Sequence, residues 1–437
     1  MRLRKAEARK AGILVVVIVM CGLVGATLIA YLGMVSSQER FVHRSAVWNS
    51  CIVLCESGVE EALAHINHAN TASNFAINGW SYSSSAFHKT PPRYLNGGRC
   101  EIMISTSYPP VITASARLPA PMNAGDVVRS VRVGTKVSRV FPYAILSKSR
   151  VSLGGSGRVD SFNSTNILES SLTGQYSEPL ATARATIASL TRNATDFNVG
   201  NVDVFGYVAT GPGAEVNVGP NGVVGSKLFA LNPLNGGKIE TGHKRDDFNV
   251  YIPDGALPPD FSALPIPLAG TGATIGGTNY VYVAGNGDYS VGNIHMGGSD
   301  TFLIRGRARI LVTGNVALTT DAGIILTTNA TVEWYQAGGT VNMGGRGVVN
   351  PRGFAKDFQL IGLRTCTSIS YSGSFQFIGT VYAPSATVTL EGSADAYGAL
   401  VGNSIELKGG MGLHYDEALN SPQKIRFIAS TWKEIRL

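Results

Sequence analysis

The sequence predicts a mainly β protein carried on one long N-terminal α-helix: the helix is first transmembrane and then amphipathic, a small antiparallel sheet follows it, and a parallel β-helix (solenoid) makes up the rest. Three observations predict this. Residues 11–35 form a run of twenty-five uncharged, mostly aliphatic residues that passes without a breaker into SSQERFVHRSAVWNSCIVLCESGVEEALAHINH. The 52 glycines, with only 15 % charged and 8 % aromatic residues, point to many short strands and turns rather than to a helical protein. From about residue 142 onward, glycine-bounded aliphatic segments recur, and recurrence of that kind is the mark of stacked repeats.

The apolar run, at about 1.5 Å rise per residue, would be roughly 37 Å long as a helix, enough to cross a bilayer core of about 30 Å. Ahead of it, Arg2, Arg4, Lys5, Arg9 and Lys10 against Glu7 give 5 − 1 = +4. That basic leader, 1–10, places the N-terminus in the cytoplasm and the bulk of the chain on the periplasmic or extracellular side of the inner membrane. A cleaved secretory signal shares the same ingredients, but this run exceeds a usual h-region and no small-x-small site precedes Ser36. Beyond the span, Phe41, Trp48, Ile52, Cys55, Val59, Leu63 and Ile66 recur at helical steps and line one face. That face can pack against other helices or cover a sheet of its own domain.

Within this helix, Gly12 opens the aliphatic run, Glu39-Arg40 stands beyond it, and CESGVEEAL occupies Cys55 to Leu63. These features resemble the N-terminus of PilX-type pilus assembly proteins, minor pilin-like components of type IV pilus systems. The resemblance covers about the first seventy residues. It implies lateral packing of residues 11–68 with other pilin-like or type II secretion-like helices, and a prepilin-type cut after Gly12 is one possibility it raises. In prepilins the fifth residue after the cut is a glutamate, whereas here Val17 holds that place. An aliphatic side chain cannot pair with a neighbour's new amino terminus, although PilX-type segments commonly lack that glutamate too.

Residues 70–98 read as polar and irregular around Pro91 and Pro92, after which RCEIMIST (99–106), VITASARL (111–118) and VVRSVRVGTKVSRVF (127–141) alternate apolar and polar residues like half-covered antiparallel strands. Residues 36–140 are therefore expected to form a helix-plus-sheet module, and 141–437 the β-helical domain. In the latter, FIGTVYAPSATVTLEG (377–392) aligns with AYGALVGNSIELKGG (396–410), bringing Gly379 onto Gly398 and Leu390 onto Leu407. A third copy lies at 204–219, and VSLGG (151–155) matches VNMGG (341–345). The segments 302–318 and 323–336 read as further strands and corners. TVYAPSATVTL, AYGALVG, GLHYDEAL (412–419) and GYVATGPGAEVNVGPNGVVGS (206–226) resemble an uncharacterised β-helical domain found behind PilX-type helices in some bacterial envelope proteins, and no activity comes with that resemblance. The five prolines of 252–268 exclude an interior strand or helix there and suggest an extended insertion along the outside. YSEPLATARATIASL (176–190) is rich enough in alanine for a short helix, against which Pro179 counts. The final segment, FIASTWKEIRL, is expected to return over the last turn as a C-terminal cap.

No residue set is assigned as catalytic, cofactor-binding or metal-binding. His414, Tyr415, Asp416 and Glu417 could supply an acid–base pair or ligands, but neighbours on an extended chain point to opposite faces, so a polar turn closing the solenoid is the favoured reading. Arg305, Arg307 and Arg309 would share one strand face and could meet an anionic glycan or a solvated surface. GGRGVVN (344–350) lacks the lysine and helix of a phosphate loop. Net charge outside the leader, 7 − 4 = +3, is too weak for nucleic-acid binding. Cys51 and Cys55 lie one helical turn apart, which leaves open a bridge from one of them to Cys100, or free buried thiols; Cys366 has no assigned partner. The expected function is non-catalytic, a pilin-like envelope component displaying a β-helix. A membrane-anchored carbohydrate-active β-helix and an adhesin or scaffold unrelated to pili remain alternatives.

Overall fold

A computed structural model describes the chain except for residues 1–2, 70–78, 96, 108, 121–124, 139–140, 259–260, 263–265, 268–272, 374, 421–425 and 436–437. Parts of the expected leader, the proline-rich segment and the C-terminal cap fall outside the described residues. The chain is mainly β, with one long N-terminal apolar helix and an antiparallel sheet, and divides into two compact units, 1–138 with 424–437, and 139–423.

In the first unit a single helix, α1, runs from Leu3 to Ala69. No proline breaks it, and Gly12, Gly22, Gly25 and Gly33 stand singly in a run of aliphatic residues whose backbone intrahelical hydrogen bonds can satisfy in full. The helix is long and apolar enough to cross a membrane: its most apolar window has a mean hydropathy of 2.9, and none of that window is buried. The C-terminal part behaves differently. Cys51, Leu54, Cys55, Val59, Ala62 and Ile66 are buried against Cys100, Ile102, Ile104, Ile112, Ala114, Ala116, Val131 and Val133. The buried stripe thus starts at Cys51, ten residues later than the periodicity suggested. Phe41 remains 74 % exposed, and the Arg129 guanidinium stands over the half-exposed Trp48 ring at 4.6 Å.

The sheet under this helix runs Trp80–Ser83, Ala86–Lys89, Gly98–Ser105, Val111–Pro119, Asp126–Ser138, Arg426–Ile435, antiparallel throughout. The alternating pattern of 98–105 and 111–119, every second residue buried, matches the strands read from the sequence. Two expectations fail here. The region around Pro91 and Pro92 contributes three short strands, including Arg93–Leu95. The C-terminal strand does not cap the β-stack; it pairs with Asp126–Ser138 from Arg426↔Ser138 to Ile435↔Ser130. Asn67 of α1 fixes that outer strand by donating from Nδ2 to the Phe427 carbonyl (2.9 Å) and accepting from the Phe427 N–H (2.6 Å). A local pattern shows that 426–435 is a strand but carries no information about which strand it joins.

The second unit is built on parallel pairing. One ladder joins, in spatial order, Tyr289, Ile310, Trp334, Leu360, Val381, Leu400, Ile145, Ile187 and Val208. A second joins Ile294, Val316, Val341, Ile369, Val388, Ile405, Val151 and Phe197. A third joins Phe377, Ala396, Leu413, Val159, Val204 and Val224. From Ile310 onward, nearly every member of these ladders is almost fully buried in one continuous core. Like residues stack on like because each register step repeats the same inward position. The repeat alignment holds at residue level, for Gly379 pairs with Gly398 and Leu390 with Leu407.

Pairing also closes a ring of six parallel strands, Ala396–Gly409, Leu413–Asp416, Arg158–Phe162, Asp203–Ala209, Ala185–Ser189 and Ile145–Ser147, with the remaining strands added to it. Ladder order therefore departs from chain order. The first strands of the unit, 145–162, sit between its last, 396–416, and the pair 185–189 and 203–209. From Lys244–Arg245 the proline-rich segment crosses the outside of the ladders: the Phe248 N–H donates to the Thr210 carbonyl, Tyr382 Oη to the Pro253 carbonyl at 2.7 Å, Gly255 bridges Leu363, and Ile266–Pro267 joins the Tyr289 edge. The alanine-rich 176–190 segment is not an α-helix; a 3₁₀ turn at Glu178–Leu180 leads into the strand Ala185–Ser189.

Candidate functional site

The strand Leu413–Asp416 is flanked by the strands Ala396–Gly409 and Arg158–Phe162, and this position buries all four of its residues. The sequence reading of this run as a polar turn closing the solenoid is thereby corrected for Leu413–Asp416: it is an interior strand at the seam where the end of the unit meets its beginning. Alternation does send successive side chains apart, yet partners arrive from other strands on both faces.

His414 Nδ1 lies 2.6 Å from Asp160 Oδ1, and Asp160 Oδ2 accepts from Tyr176 Oη at 2.8 Å. His414 Nε2 faces Asp395 Oδ2 at 3.5 Å, an electrostatic rather than a hydrogen-bonded contact. The Tyr176 and Tyr397 rings lie over the imidazole with centroids 3.8 and 5.0 Å away. Asp395 is held by the Gly412 N–H at 2.9 Å, and Arg158 beside the cluster pairs with Glu178. Burial by itself lowers the His414 pKa, but the hydrogen bond with Asp160 and the charges of Asp160 and Asp395 outweigh it and the net shift is upward. Asp395 is shifted down, chiefly by His414, and burial together with the Asp160 charge pushes the Tyr176 phenol upward.

Tyr415 and Asp416 turn to the other partners. Tyr415 Oη donates to the Phe141 carbonyl at 2.7 Å, and Asp416 Oδ1 accepts from the Ser164 and Ala418 N–H groups, both at 3.0 Å. Burial pushes the Asp416 pKa up against those bonds. Glu417 accepts from Thr182 at 2.6 Å and from Arg184 at 2.8 Å, and Arg184 also pairs with Glu169. The contacts His414–Asp160, Tyr415–Phe141, Asp416–Ser164 and Glu417 to Thr182 and Arg184 join residues 141–184 to residues 414–417. Chemically the cluster is an imidazole between carboxylates, closed over by aromatic rings, with Asp160 fully buried. Open recesses of about 340 Å³ at His295, Met296 and Thr319 and about 250 Å³ at Leu190, Arg192 and Phe248 share no residue with it. Such an arrangement clasps the seam.

The remaining candidates are not brought together. Arg305 lies in a corner outside the strand Arg307–Val312, so the three arginines do not share a strand face. Arg309 is engaged bidentately by Asp288 (2.6 and 2.7 Å) and stands over the Phe261 ring. Gly344–Arg346 is a corner between the strands Thr340–Met343 and Gly347–Val349, with Gly345 and Gly347 at positive φ. Cys51, Cys55, Cys100 and Cys366 are free, buried thiols, which answers the open choice between bridge and thiol. Burial pushes Cys55 up to about 11 and Cys100 up to about 12. Among the described residues no group of His, Cys, Asp or Glu is arranged to hold a metal ion.

Reading the sequence missed Asp160, Tyr176 and Asp395, which no local motif marks. One signal was present: extending the repeat alignment by one further copy sets Tyr397 against His414, and the register then continues to Asp160.

A family model described as a domain of unknown function (DUF7305) matches residues 272–421. No curated protein matches the chain. Among solved structures, the chain is similar to the competence-associated pilin ComZ from Thermus thermophilus, at 8 % sequence identity and a TM-score of 0.27, over 89 % of this chain and 97 % of that one.

Proposed function

We propose that the protein is a non-catalytic, membrane-anchored, pilin-like envelope component of the PilX type, whose helix α1 sits in the inner membrane with the N-terminus cytoplasmic and packs laterally with other pilin-like or type II secretion-like helices. One observation carries this reading: a single unbroken helix passes from an apolar stretch with no buried residue directly into a face packed on its own antiparallel sheet. An ordinary signal anchor has no reason to share one helix with the core of the domain it tethers. The second unit is read as a β-helix, because three parallel ladders repeat inward aliphatic positions rung after rung, and its work is to display its outer surface to partners or surface glycans. The burial of His414 and Asp160 beneath the Tyr176 and Tyr397 rings supports a structural rather than an enzymatic part.

Affinity capture of the detergent-solubilised full chain should recover pilus or secretion-type components, and deletion should alter piliation. Recovery of none of them, with normal piliation in the deletion strain, contradicts the proposal.

A further inference from the structure

Two excursions in the second unit expose aliphatic side chains that the proposed function leaves unused. The first, between Phe162 and the 3₁₀ turn at Glu178, presents Ile167, Leu168 and Leu172, the last 91 % exposed; the second, between Gly225 and Lys238, presents Leu228, Leu231 and Leu234, each 77–79 % exposed. Both leave the same corner. They follow the strands Arg158–Phe162 and Val223–Gly225, each of which pairs with Asp203–Ala209 between them. Two strand spacings set them about 10 Å apart, and Lys227 Nζ reaches the Glu178 carbonyl at 3.5 Å.

Many backbone groups of these turns are bonded from within. The Leu168 N–H donates to Asn166 Oδ1, Phe229 N–H to Ser226 Oγ, Leu234 N–H to Asn232 Oδ1 and Gln175 N–H to Ser171 Oγ. The Leu231 N–H bonds the Lys227 carbonyl, and Asn235 Nδ2 the Phe229 carbonyl. Each N–H bonded in this way can enter an apolar medium without the cost of stripping water from it. The charges are sorted too. Glu169 and Glu178 are paired with Arg184 and Arg158, and Glu240 accepts from the Ser226 N–H, whereas Lys227 and Lys238 at the rim have no carboxylate within ion-pair distance among the described residues. Neither turn exposes the tryptophan or arginine that anchors protein interfaces, in whose hot spots leucine is under-represented.

We infer that these two leucine-tipped turns insert into the interfacial layer of an anionic phospholipid bilayer, with Lys227 and Lys238 meeting the headgroup phosphates. The inference rests on the proposed anchoring only for bringing a bilayer near, since a tethered unit meets its own membrane at high effective concentration.

The test uses the full chain, with Cys21→Ala, in proteoliposomes of equal parts phosphatidylglycerol and phosphatidylcholine. An environment-sensitive fluorophore is attached in turn at Leu172→Cys, Leu231→Cys, Ser299→Cys and Leu28→Cys, and a shallow spin-labelled lipid is the quencher. Quenching is expected at Leu172→Cys and Leu231→Cys and not at Ser299→Cys. It should fall several-fold in pure phosphatidylcholine, and at Leu172→Cys it should be lost when Leu228, Leu231 and Leu234 are all changed to Asp. Water-like emission from both turns while Leu28→Cys is quenched would overturn the inference and leave the anchor standing. Quenching at the turns without quenching at Leu28→Cys would uphold the turns and sink the anchor. Emission that is blue-shifted but unquenched by lipid, and that grows with protein density, would assign the patch to a second copy of this chain and overturn the inference.

Discussion

His414 shows how a single residue can close a domain. Its folded pKa is raised, so the stability it contributes is fully present below the ordinary histidine value of about 6.5 and is lost as pH rises through the raised folded value. Asp395 works in the opposite sense: its lowered pKa contributes stability above about 3.9 that is lost as pH falls further. The other groups facing the imidazole are Asp160, Tyr176, Tyr397 and Arg158 with its partner Glu178. The second unit should therefore unfold at a higher temperature near pH 5.5 than near pH 8, and His414→Gln should flatten that difference in a thermal melt. Asp160→Asn strands the imidazole and should cost about 3–5 kcal/mol, read from denaturant titration. The thiols allow a separate check. With Cys51, Cys55 and Cys100 buried and their pKa values raised, a polar maleimide should leave them, and buried Cys366, unlabelled in the native protein and label all four in urea without reductant. How legible these residues were differs. The His414–Glu417 run stands out by composition, but Asp160 lies about 250 positions away and was out of reach of any local pattern.

Among the elements, those with a period of their own were readable: the apolar half of α1, the alternating strands at 98–105 and 111–119, and the glycine-bounded rungs. Gly398 illustrates why the rungs keep their glycines. It sits at φ +137°, and a Cβ there would overlap the carbonyl oxygen of Gly379, its partner in both the repeat alignment and the register. Gly398→Ala should cost at least about 3 kcal/mol, measured against an exposed control such as Gly410→Ala, where nothing stands within 4 Å of the added atom. What the periods left out was the point at which a face changes use. The stripe from Phe41 to Ile66 looked continuous, yet it is partly covered from Val47 and reaches full burial only at Cys51, because where a sheet lies along a helix is decided by tertiary pairing. Strands lacking a period, such as Arg93–Leu95 beside two prolines, gave no signal.

In the molecule as a whole, the second unit is an insertion between two strands that are antiparallel neighbours. Ser138 and Arg426 face each other in the register, so the chain leaves and re-enters the first sheet at adjacent points. Replacing 139–425 by a short hairpin turn should leave a folded first unit, seen as retained β-sheet circular dichroism and a cooperative melt; loss of cooperativity would show that the sheet depends on the insertion. This arrangement was hidden from the sequence for a physical reason: ladder order is not chain order, and the strands that meet at the seam are separated by most of the unit. The proposed function turns on whether α1, an unburied apolar helix joined to an antiparallel sheet, packs beside other helices. Photo-crosslinking tests it most directly. A photoreactive residue at Val24 and another at Phe41, both exposed, should each give a covalent adduct in intact cells with a second protein bearing an apolar N-terminal helix. Adducts to lipid alone at Val24, with none to protein at either position, would contradict it.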